Sequence, residues 1–197
     1  MEQTITVSGK ELIELNPGFG SRFGPVQVVD VVYCNDRSSP IWKREGEASA
    51  GFMAQVLFQE NVRAYAQIYV YVVKGGSPGA RVDPLGSGQP GAFSGRAYAV
   101  ETLVHELVHV EHGWLHGGQA NFDQVYAKEY QRARTALLKQ NPFLGCDPAR
   151  LNRGAYHNNV FESLAFRRAR EFVAACAAKI RAGAFDRYLP SWVTAEG

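Results

Sequence analysis

Residues 105–113 read His105-Glu106-Leu107-Val108-His109-Val110-Glu111-His112-Gly113. They predict a metal-binding helix around which the rest of the chain is organised. In an α-helix, residues four apart stand on one face, about one turn apart. His105 and His109 therefore present their imidazoles side by side and can share one ion. Glu106 is turned ~100° from His105, which sets its carboxylate beside the ion rather than on it, where it can take a proton from an attacking water. Neutral imidazole is a good zinc ligand and a free carboxylate a good base, so these residue types suit Zn2+ hydrolysis. The plain alternative is a helix carrying two exposed histidines. Two features weigh against it. Four of the chain's five histidines (His105, His109, His112 and His116) crowd into this one stretch. Val100, Leu103, Val104, Leu107, Val108 and Val110 also spread over every side of the helix, the pattern of a buried one, and buried imidazoles need polar partners.

Working outward, the motif helix runs from about Tyr98 to His112, with Gly113 as a plausible C-cap. A second helix is predicted from about Asn121 to Gln140, with Phe122, Tyr126, Tyr130, Ala133 and Leu137 as its apolar face; Asn141-Pro142 ends it. A third runs from about Val160 to Arg181, capped by Asn158 or Asn159 and closed by Gly183. Upstream, residues 1–48 read as short strands and turns. Val26–Tyr33 is β-branched and strand-like, punctuated before it by Asn16-Pro17-Gly18-Phe19-Gly20. Residues 50–60 fit a short helix or a strand. Ala64–Val73 alternates as a strand, with Tyr65, Gln67, Tyr69 and Tyr71 on one face; that face could offer an edge to an extended substrate by strand addition. Gly75–Gly95 is a long glycine- and proline-rich loop that either lines a cleft or is plain surface. Strands first and helices later predict one α+β domain over residues 1–197, a small N-terminal sheet followed by three main helices.

A catalytic zinc usually takes three protein ligands, so a third must be found. His112 and His116 continue along the same helix line, and three ligands in a row cannot surround one ion. His116 could serve only if the helix broke before it, with the glycine one residue later than in H-E-x-x-H-x-x-G-x-x-H and with no methionine downstream. Glu162 is the stronger candidate. At ~100° per residue, Ala165, Phe166, Ala169, Val173, Cys176 and Ile180 lie within ~60° of it. A carboxylate heading such a stripe faces the core, where it needs a partner. The alternative is a capping box with Asn159, which leaves Glu162 exposed; Asp123 and His157 remain further options. Glu101, one turn before His105, either orients that histidine or is a solvated charge. Two pairs, Arg187-Tyr188 and Tyr156-His157, could stabilise an oxyanion.

Composition narrows the class. The chain has 197 residues, 46% hydrophobic and 20% charged, and a net charge of +2. These fit an ordinary globule, and no basic run tracks a nucleic-acid backbone. Cys34, Cys146 and Cys176 are odd in number and scattered, which predicts no disulfide framework and favours a reducing compartment. No apolar run is long enough for a membrane span, and the N-terminus predicts no secretory signal peptide. A cytoplasmic location in the producing cell is expected.

The motif through Gly113 resembles the H-E-L-I-H-x-x-H-G of clostridial neurotoxin light chains. It also resembles short zinc-protease effectors injected by bacterial type III secretion systems, of the NleD and HopH/XopG kind. Phe161-Glu162-Ser163-Leu164-Ala165 is similar to the glutamate-ligand helix of glutamate zincins. The resemblance implies a zincin-like fold and a Zn2+ endopeptidase, an effector or toxin domain delivered by a dedicated secretion system to cleave a protein in a target cell. It implies His105, His109 and Glu162 as ligands, Glu106 as general base, and Arg187 and Tyr188 as counterparts of an Arg and a Tyr that stabilise the transition state. The residues themselves leave two other readings open: a zinc amidohydrolase acting on a small amide, and a binding protein whose metal is structural, closed by a fourth ligand such as His116 or His157.

Overall fold

A computed structural model describes residues 2–19, 28–34, 53–58, 65–71 and 95–194. It is α+β, with the strands and one short helix first and the longer helices after. The strands are β1 (Glu2–Val7), β2 (Val28–Cys34), β3 (Met53–Phe58) and β4 (Tyr65–Tyr71). They form one four-stranded sheet in the order β1-β2-β4-β3. β1 runs antiparallel to β2, β2 parallel to β4, and β3 antiparallel to β4. Two expectations are settled by this topology. The ambiguous 50–60 stretch contains a strand. The stretch with Tyr65, Gln67, Tyr69 and Tyr71 offers no edge, because β4 is paired on both sides; β1 and β3 are the outer of the described strands. The Gly75–Gly95 loop lies outside the described residues except for Gly95 itself.

The helices are α1 (Gly9–Leu15), α2 (Gly95–Leu115), α3 (Gln119–Gln140), α4 (Pro148–Asn158), α5 (Val160–Arg181) and the short α6 (Ser191–Thr194). α2, α3 and α5 match the three predicted. α1, in a stretch expected to hold only strands and turns, and α4 and α6 are additions; Asp147 caps the N-terminus of α4 by accepting from the Arg150 amide at 3.0 Å, with Pro148 in its first turn. Among the described residues no helix is long and apolar enough to cross a membrane.

α2 is the central element. Between Ala99 and Gly113 only Thr102 is more than slightly exposed. One side meets the sheet and the C-terminal segment in a core of Val29, Val31, Tyr33, Val100, Leu103, Val104, Leu107 and Tyr188. The other meets α5, whose buried stripe is Glu162, Ala165, Ala169, Val173 and Ile180. The small Ala165 and Ala169 allow the two helix backbones to approach closely.

Two helix ends are set by glycine in the left-handed region. Gly183 (φ 75°) follows α5, with the Ala184 amide donating to the Lys179 carbonyl and the Gly183 amide to that of Ile180, a Schellman closure. The end of α2 differs from expectation. Gly113 is buried inside the helix; the closure is made by Gly117 (φ 79°), with Gly118 donating to Gly113 and Gly117 to Trp114. A glycine permits a stop but does not impose one, and here Gly113 lacks a side chain at a buried position while the following turn continues.

Candidate metal centre

His105 and His109 project from α2 as their four-residue spacing requires, and Glu162 enters from the first turn of α5. All three are buried, with exposures of 6%, 7% and 4%. Their Nε2 and carboxylate atoms converge: His105 Nε2 to His109 Nε2 is 3.1 Å, His105 Nε2 to Glu162 Oε2 is 3.2 Å, and His109 Nε2 to Glu162 Oε1 is 3.4 Å. These three residues could hold a metal ion. A tetrahedral ion with bonds of ~2.0–2.1 Å separates its ligand atoms by ~3.3–3.4 Å, close to these separations, in which each imidazole faces a different oxygen of Glu162. Glu162 Oε2 is buried without a hydrogen-bond partner, an atom that needs a cation or a donor.

The charges within the triad support one another. Burial alone would push the Glu162 carboxyl up, but the His105 and His109 imidazoles hold it well below the usual carboxylate range. Burial opposes a charge on His109, yet the hydrogen bond and field of Glu162 raise its pKa above the ordinary imidazole value. Glu106 is also buried, and its Oε1 lies 3.8 Å from His105 Nε2, beside the triangle. Burial raises its pKa, with the two histidines pulling the other way.

The capping-box alternative for Glu162 is absent. Asn159 caps α5 by accepting from the Phe161 amide at 3.0 Å, and its own Nδ2 donates to the Tyr126 carbonyl at 3.3 Å. Glu162 instead accepts from the Tyr126 hydroxyl at 2.7 Å. Tyr126 appears in the sequence only as one apolar-face residue of a helix, and no local signal marks its polar end. Replacing Tyr126 with Phe removes that donor, and on the scale of outer contacts to metal ligands should weaken Zn2+ binding on the order of tenfold. Competition against a chromophoric chelator measures this; an unchanged affinity would show that the hydroxyl does not orient Glu162.

Several expectations place elsewhere. Arg187 and Tyr188 are not brought to the triad among the described contacts. Arg187 Nη2 pairs with Glu14 Oε2 at 2.8 Å near the surface, and its guanidinium lies over the Tyr188 ring. Tyr188 is buried in the sheet-side core, its carbonyl accepting from the Tyr33 hydroxyl at 2.6 Å. The other pair fits better. Burial and then the fields of Glu162 and Glu106 raise the Tyr156 hydroxyl's pKa, and the residue is 36% exposed. His157 packs against Phe166, which in turn contacts His105. Glu101 does not back His105: His105 Nδ1 has no hydrogen-bond partner, and Glu101 faces Arg170 Nε at 3.6 Å. Asp123 is exposed. His112 and His116 pack with Phe122 and Phe161 in an aromatic cluster, because α2 continues through Gly113. Burial, followed by the fields of His109 and Arg168, lowers the His112 pKa to about 3, so it is neutral there. Among the described residues no fourth His, Cys, Asp or Glu joins the triad.

Compared with protein-family models, curated proteins and solved structures, the chain matches none.

Proposed function

We propose that this chain is a zinc-dependent endopeptidase. The observation that carries the reading is the buried triangle of His105, His109 and Glu162 with the Glu106 carboxylate beside it. The donor set is two imidazoles and one carboxylate, which suits Zn2+ with a position left for substrate or water. When bound, Zn2+ supplies Lewis acidity toward a carbonyl oxygen and lowers the pKa of water into the neutral range. Glu106 takes the proton of the attacking water and passes it to the leaving amine. Tyr126 orients Glu162, and Tyr156 is the hydroxyl available to an oxyanion, the role expected of Tyr188 on resemblance.

One further point favours a peptide over a small amide, and one an open site over a closed one. β3 is an outer strand and lies against α2, so an extended chain could pair with it in front of the motif helix. The absence of a fourth ligand among the described residues favours an open site over a closed structural one. An effector or toxin role, acting on a protein of a target cell, rests on the motif resemblance alone.

The test sets protein substrates and small amides side by side. Cleavage of a protein substrate is expected, lost on chelation and restored by Zn2+. Turnover of small amides only would replace the peptidase with an amidohydrolase, and stoichiometric Zn2+ without hydrolysis of either would point to a structural ion.

A further inference from the structure

One partly buried charged cluster, with Glu111 enclosed and Arg168 24% exposed, has no part in this chemistry. Glu111 lies ~200° around α2 from His109 and is 4% exposed. Its Oε2 accepts from Arg168 Nη1 at 2.8 Å and from Asn16 Nδ2 at 2.9 Å. The other terminal nitrogen of Arg168 donates to Asn16 Oδ1. Asn16 Nδ2 also reaches the Leu107 carbonyl, at 3.4 Å. Asn16 is 2% exposed and is the C-cap residue of α1. The three side chains thus close a ring that joins the N-terminal segment to both helices bearing the triad. Gly18 completes the enclosure: a Cβ there would press on the Arg168 guanidinium and stand 3.1 Å from Glu111 Oε2.

Such a ring is a poor device for stability alone. Desolvation offsets most of the attraction in a buried ion pair, and apolar residues of similar volume often do as well or better. It is a good device for direction, because a guanidinium held by two acceptors tolerates little displacement. Next to the triad the contact supplies little direction of its own. The buried stripe of α5 there is Ala165 and Ala169, with the larger Val173 and Ile180 further along the helix, and two methyl groups interlock less than large side chains do. On the other flank, Arg170 faces Glu101 at 3.6 Å, so the two arginines diverge toward opposite ends of α2. A slide that took Glu162 away from the imidazoles would also pull Arg168 from Glu111 and Asn16.

We propose that Glu111, Arg168 and Asn16 form a positioning unit that sets the register of α5 on α2, and so holds Glu162 where it shares one ion with His105 and His109. This rests on the reading of the triad as a metal site.

The experiment titrates Co2+ into the wild-type chain, the double variant Glu111→Met/Arg168→Met and Arg168→Lys, following visible absorption, affinity and thermal melting. The double variant removes both charges together and leaves no buried ion unpaired. It is expected to melt cooperatively, bind Co2+ at least about tenfold more weakly, the lower range for lost support of a ligand, and show an altered absorption band. Arg168→Lys keeps the charge but lacks the planar fork whose two separate nitrogens hold Glu111 and Asn16 in a fixed direction; its affinity and band should shift the same way. Wild-type affinity and spectrum in the double variant, whatever its melting temperature, would reduce the ring to packing and overturn the proposal. Should that variant not fold, Arg168→Lys decides by the same two readouts. A wild-type chain that takes up neither Co2+ nor Zn2+ removes the metal reading itself, and the positioning role with it.

Discussion

Glu106→Gln is expected to retain bound Zn2+ and to lower peptide hydrolysis by on the order of 10²–10⁴-fold, the usual contribution of a positioned proton acceptor. Gln fills the same volume and leaves the triangle of His105, His109 and Glu162 intact, since Glu106 stands beside it at 3.8 Å from His105. It cannot accept the proton. A second readout separates this role from a structural one. Burial raises the Glu106 pKa in the metal-free protein, so its ionised form is disfavoured in the fold. The unfolded chain gains by ionising as pH rises through the ordinary carboxylate value, and folding stability falls from there to the raised folded value. Metal-free Glu106→Gln should therefore melt at a higher temperature than wild type at neutral pH. A bound divalent cation favours the carboxylate and narrows the gap. Loss of hydrolysis together with a gain in metal-free stability is the signature of a base held at the expense of the fold. Undiminished turnover in Glu106→Gln would remove Glu106 from the mechanism.

The motif helix and the side of α5 that faces it were legible because both follow from spacing. Apolar residues on every side of 100–110 required burial of α2, and the stripe behind Glu162 required that carboxylate to turn inward. The structure buries both. What spacing could not supply was the company of each charge. Glu101 and Arg170 are 69 positions apart, and only the packed helices decide which carboxylate an arginine reaches. Asn16 lies 95 residues from Glu111, in a stretch that reads as a turn. Tyr126 and Tyr156 approach Glu162 from two further helices, one of them, α4, hidden by Gly154 and a low share of apolar residues. Arg187-Tyr188 is a pair matched on residue type alone, and the contacts described for it run to Glu14 and the core.

Glu162→Ala is expected to abolish tight Zn2+ binding, weakening it by more than the ~100-fold upper range for loss of an outer contact, because the only carboxylate of the triad is gone. Its pH signature distinguishes a ligand from a mere neighbour. In the metal-free wild type, Glu162 raises the His109 pKa despite burial, and the imidazoles lower that of Glu162. The His109 contribution to stability is present in full below the unfolded imidazole value of about 6.5 and is lost as pH rises through the raised folded value. That of Glu162 is present above the unfolded carboxylate value and is lost as pH falls through the lowered folded one. The metal-free chain should thus be most stable, from this pair, in mildly acidic solution. Zn2+ must displace the proton on His109, so its uptake should release protons below the raised His109 value. Apparent affinity should climb with pH and level off above that value. Calorimetry in buffers of different ionisation enthalpy counts the protons, and melting curves with and without Zn2+ follow the stability optimum, which the ion should move toward higher pH. In Glu162→Ala the His109 titration should fall back, since desolvation is then opposed only by Glu106. An unshifted His109 titration in that variant, or Zn2+ affinity within tenfold of wild type, would leave Glu162 outside the ligand set.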